Sequence, residues 1–87
     1  MESRNELLIG MKIRNEITDW IYDTMPEVNG YHHSVIDRGT HIEIDIGIAI
    51  GFFHESVVLL LFSDTPINSV IENFKIELQK IYDKLTQ

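Results

Sequence analysis

The sequence has no cysteine. That excludes a disulfide framework, a thiolate zinc site and a thiol nucleophile, so the core must stand on packing alone, and a cytoplasmic setting is the expected one. Basic residues are few: seven Lys and Arg face 14 Asp and Glu among 87 residues, a formal charge of −7. Binding to nucleic acid or to an anionic membrane rests on clustered Lys and Arg. The seven cations here are scattered, so direct contact with either is not expected. There are only two prolines and no low-complexity tract or linker, which predicts one small domain over residues 1–87. No long apolar run exists either. The most apolar stretch, residues 42–62, is broken by Glu43, Asp45, His54 and Glu55, and the amphipathic N-terminus has no signal pattern, so neither a membrane span nor a signal peptide is expected.

Catalytic motifs are missing too. No serine sits in a Gly-x-Ser-x-Gly elbow, and no glycine-rich loop precedes a helix; Gly47-x-x-x-Gly51 falls inside a strand pattern. The expectation is a non-enzymatic protein without a cofactor.

What is present is strong periodicity. Ser3-Arg4-Asn5-Glu6 fits a capping box and predicts a first helix starting at Arg4. Leu8, Met11, Ile17 and Ile21, flanked by Leu7, Ile13 and Trp20, recur at spacings of three and four, and Pro26 ends the helix near Thr24. Trp20 and Tyr22 are expected as core and flank. After the turn-forming Pro26-Glu27-Val28-Asn29-Gly30 the period changes to two. Five isoleucines alternate with His, Glu, Asp, Gly and Ala from His41 to Ile50, which predicts a half-buried strand. Tyr31–Asp37 is a weaker strand joined through Arg38-Gly39, and Ser56–Phe62 is a third, apolar after its first residue. A second helix follows, started by Asp64-Thr65-Pro66 or by a capping box at Ser69–Glu72, with a stripe of Ile67, Val70, Ile71, Phe74, Leu78, Ile81 and Leu85. The predicted fold is α+β: helix, three-stranded antiparallel meander, helix, with both helices on one face of the sheet.

An even loop around His54-Glu55 would set Ile50 opposite Leu59, Ile48 opposite Leu61 and Phe52 opposite Val57 on the core side. The other side would then place Gly47 by Phe62, Ala49 by Leu60 and Gly51 by Val58. Ala49, Phe53, Val58, Leu60 and Phe62 become the candidate dimer or peptide face, on an edge strand able to accept another strand. A symmetric homodimer is expected, since two-fold assemblies are the commonest oligomers; the competing arrangement folds residues 63–69 or the second helix over the edge. Phe52, Phe53 and His54 at the predicted loop tip are candidate anchors, one phenylalanine being core by parity.

Two sets of polar residues carry possible chemistry. His41, Glu43 and Asp45 share one strand face, joined by His32 or His33 according to register. His41 to Asp45 spans about 13 Å, so His33, His41 and Glu43 are the set that could share zinc or manganese; a solvated half of the sheet is the plainer reading. Glu16, Asp19, Asp23 and Glu27 form an acidic line with members about 5–6 Å apart along the axis, a spacing like that of phosphates. With Glu43 and Asp45 they are the candidate partner-binding carboxylates, against the plainer reading of a solvated face that keeps the protein soluble.

The helix–three strands–helix order resembles the double-stranded RNA binding domain. The resemblance covers topology only. Where that family clamps phosphates with lysines at its second helix, this sequence is mixed and carries Glu72 and Glu77, so RNA binding is not carried over. The functional expectation is an acidic inhibitor or adaptor docking on a basic surface of a nucleic-acid-handling protein, of the anti-defence or nucleic-acid-mimic kind. The alternatives are a small acidic chaperone or adaptor dimer holding an apolar peptide by strand addition, and a His/carboxylate metal-binding protein.

Overall fold

The computed structural model describes residues 5–87. The chain runs α1 (Glu6–Thr24), β1 (Gly30–Asp37), β2 (Ile42–Ile50), β3 (Phe53–Leu61) and α2 (Ile67–Leu85). The strands form one antiparallel sheet in the order β1-β2-β3. Both helices pack on the same face of it, α1 over β1 and β2, α2 over β3 and β2. This is the expected α+β meander.

Alternation decides which side of β2 is buried. Ile42, Ile44, Ile46 and Ile48 point to the helices and are at most 3% exposed, and full burial of such a side chain contributes about 1.5–3 kcal/mol. Ile13, Ile17 and Ile21 from α1, Val70, Phe74 and Leu78 from α2, with Met25 and Leu61, complete one core cluster. The expected stripe on α2 is borne out. On α1 it shifts: Gly10, Ile13, Ile17, Thr18 and Ile21 are buried, while Leu7, Leu8 and Met11 stay exposed. Gly10 explains the shift, because a Cβ there would come within 3.0 Å of both Ile42 and Val35. The helix lies so close to the sheet at Gly10 that its own seam, and not the outer leucines, meets the core.

The helix starts also differ from expectation. Ser3 and Arg4 lie outside the described residues, and α1 is capped by Asn5, whose Oδ1 accepts from the Leu8 amide at 3.1 Å. Neither capping device operates on α2. Pro66 occupies the cap position without a side-chain bond, Ser69 lies inside the helix, and Thr65 Oγ1 instead accepts from the Phe62 amide at 2.8 Å.

The β2–β3 register departs most. The hairpin closes at Gly51-Phe52, with Ile50 paired to Phe53, Ile48 to Glu55, Ile46 to Val57, Ile44 to Leu59 and Ile42 to Leu61. Gly51 has φ 62° and Phe52 has no positive φ, the sign pattern of a II′ turn with glycine first. His54 is therefore a strand residue opposite Ala49, and Phe52 is a fully exposed tip residue instead of a core partner of Val57. The two phenylalanines are both exposed. The slip from the expected register is even, so Val57, Leu59 and Leu61 still face the core. Among the described residues no helix is long and apolar enough to cross a membrane.

Candidate functional site

Glu16, Asp19 and Asp23 sit at helical spacings of three and four on the outer side of α1, and Glu27 follows just beyond Pro26. All four are exposed. The ion pairs among the described residues join Arg38 to Glu43, Lys80 to Glu77 and Lys84 to Glu55, His32 also contacts Asp45, and none of these contacts involves these four. The last turn of α1 carries no basic residue. Its terminal carbonyls and Asp23 therefore add their negative potentials, an arrangement that works against the helix itself.

The other two candidate carboxylates are elsewhere. Glu43 and Asp45 point from β2 to the face opposite the helices, half-buried. Arg38 reaches Glu43 at 3.2 Å and His32 lies 3.3 Å from Asp45. The six predicted partner-binding residues thus divide between two sides of the molecule, three on α1 with Glu27 just beyond it, and two already engaged on the sheet.

That open face carries Ile36, Val58, Leu60 and Phe62, each 36–50% exposed. The true register changes their neighbours. Leu60 stands beside Glu43 and Val58 beside Asp45, where Ala49 and Gly51 were expected, and Gly47 pairs with Ser56. Ile36 flanks Glu43 from β1. Phe53 does not belong to this face: it pairs with Ile50 and shares the parity of the core side, at the exposed end of the hairpin. Ala49 is on the open face but opposite His54, two pairs away from Val58. β3 is an edge strand, as expected.

The metal candidates do not assemble. Pairing of His33 with Ile46 and of His32 with Gly47 sends His32, not His33, to the face of His41 and Glu43. The His41 ring packs on Phe62 with centroids 5.1 Å apart, and Glu43 is taken by Arg38. No group of three or more His, Asp or Glu among the described residues could hold a metal ion.

One feature escaped the sequence reading. Tyr22 near the end of α1 and Tyr31 at the start of β1 meet edge to face, ring centroids 5.6 Å apart, with the His33 ring 5.9 Å from Tyr31. Beside them opens a cleft of about 300 Å³ whose lining includes Met25, Pro26 and Val28. The pKa of the Tyr31 phenol is raised above its usual value by desolvation and by the neighbouring Tyr22 hydroxyl, with a smaller contribution from the charge of Asp19. The only sequence trace was Tyr22 three residues after Asp19, on the acidic side of the helix; Tyr31 could be matched to it only once β1 was docked under α1. Comparison of the chain with protein-family models, with curated proteins and with solved structures finds no match.

Proposed function

We propose that this protein is a non-enzymatic interaction module that docks the outer face of α1 on a basic surface of a partner protein. The supporting observation is the line Glu16, Asp19, Asp23 and Glu27, exposed and without an ion pair among the described residues. A sequence tuned only for folding places cations, not Asp23, in the last turn of a helix. Local choices that oppose the fold concentrate where a protein functions. Acidic lines of this kind steer association with cationic surfaces, including those built for nucleic acid, and a nucleic-acid-handling protein is the partner class that this chemistry favours. The test is to isolate the partner by affinity purification and follow its affinity for the Asp19→Lys/Asp23→Lys chain from about 50 to about 300 mM salt. Charge reversal is expected to weaken binding by roughly tenfold or more, and wild-type affinity to fall steeply with salt. Salt-insensitive binding, or binding indifferent to the reversal, overturns the reading.

The open sheet face supports a second component of the same reading. Ile36, Val58, Leu60 and Phe62 are half exposed on one side of a three-stranded sheet, and the two carboxylates among them are engaged by Arg38 and His32. A second copy of the chain covering this face would remove apolar surface from water without stranding an unpaired carboxylate.

A further inference from the structure

We infer that the cleft between the end of α1 and the start of β1 is the anchor point of the docking surface, and that it takes an arginine side chain of the partner. The inference rests on the proposed docking of α1 and says where on it the specific contact forms. Three sources of negative potential converge there from different chemistry. The faces of Tyr22 and Tyr31 carry the negative lobes of their quadrupoles, and Tyr22 remains 72% exposed, so much of its ring is open to a visitor. The C-terminal end of α1 contributes its carbonyls, of which that of Tyr22 finds no amide four residues on, because that residue is Pro26. Asp19, three residues before Tyr22, lies on the same side of α1 as that ring.

The lining of the cleft itself is uncharged. Met25 and Val28 line it, and its volume of about 300 Å³ is at the small end of ligand-sized pockets, suited to one side chain and not to a peptide segment. A cation that enters must tolerate apolar walls. Guanidinium does: it is planar, weakly hydrated, stacks on aromatic rings and lays an aliphatic stem along apolar surface. Ammonium is a compact, strongly hydrated charge and gains more by staying with the solvated carboxylates outside. Aromatic walls and an apolar floor beside the acidic line select arginine over lysine, which the acidic line alone does not.

The experiment uses the full chain, labelled with ¹⁵N, and two glycine–serine peptides of equal length and charge, one bearing arginines and the other lysines. The arginine peptide is expected to shift the amides of Tyr22, Met25, Val28 and Tyr31 and to bind about two- to fivefold more tightly than the lysine peptide. Tyr22→Leu should abolish that preference, the arginine peptide losing about two- to fivefold and the lysine peptide less, with the dispersion of the spectrum reporting that the chain is folded; Tyr31→Leu serves as the second variant. Asp19→Asn/Asp23→Asn should weaken both peptides and keep their ratio. Equal affinities, a preference that survives both tyrosine variants, or shifts confined to the open sheet face overturn the assignment. If both peptides bind equally along α1, the cleft assignment alone falls; if neither binds, the docking of α1 falls with it.

Discussion

Two residues show how local geometry constrains this surface. Gly47 is the tightest point of the open face: a Cβ there would run into the His32 ring and come within 2.9 Å of the Ser56 Cβ. The imidazole is the end of a side chain that can swing away, whereas Ser56 is held by its ladder pairing with Gly47. Gly47→Ala is therefore expected to destabilise the fold by about 1–3 kcal/mol, outweighing the roughly 0.5–1 kcal/mol that losing a strand glycine would return. In urea denaturation His32→Ala should recover only part of that loss, and full recovery would show that the ring alone is the obstacle. Tyr31 is the other case. Its folded-state pKa is raised, so the neutral phenol is the form the fold favours. Its contribution is present below the ordinary value of about 10 and is lost as the pH rises through the folded value. Absorbance titration should place the Tyr31 ionisation above the ordinary tyrosine value, and Tyr22→Phe should lower it more than Asp19→Asn does.

At the scale of elements, the ends proved harder to read than the bodies. The 3.6 and 2 periodicities of α1, β2 and α2 are properties of contiguous residues and were visible directly. The cap of α1 was not: Ser3 and Asn5 both offer a suitable oxygen, and the choice depends on which turn first meets the sheet. Asn5→Ala is expected to cost about 1 kcal/mol, read as a lower urea midpoint with unchanged slope; no change would mean that the Asn5 bond to Leu8 does not hold the first turn. The β2–β3 turn misled for a related reason. Gly51 sits in an unbroken run that reads as strand, and its positive φ is what turns Gly51-Phe52 into a hairpin. Because the resulting shift is even, the inward face of β3 was right while each of its neighbours was wrong.

For the molecule as a whole, the sheet has one covered and one open side, and the proposed dimer would cover the second. The wild-type chain is expected to run at twice its 10.1 kDa mass in light scattering at micromolar concentration. Val58→Thr/Leu60→Thr places β-branched, strand-compatible side chains at both positions while removing apolar area, and should return a folded single-chain species with a lower, concentration-independent melting temperature. A wild-type chain of single mass at tens of micromolar contradicts the dimer. The two surfaces, acidic α1 and apolar sheet, face opposite ways, so pairing through the sheet would leave both copies of the α1 line outward.

The sequence by itself determined the order of elements, the buried side of each, the acidic excess and its concentration on the outer side of α1. These follow from spacing along one chain, and an amphipathic period leaves little freedom about which side turns inward. Only the tertiary structure decided which strand residues are neighbours, that His33 and Phe53 lie away from the open face, that Glu43 and Asp45 are engaged while the α1 carboxylates are not, and that Tyr22 meets Tyr31. Each of these depends on register and on the approach of elements distant in sequence, with Gly39 and Gly51 at positive φ in the two hairpin turns and the missing Cβ at Gly10 letting α1 close on the sheet, rather than on any local pattern.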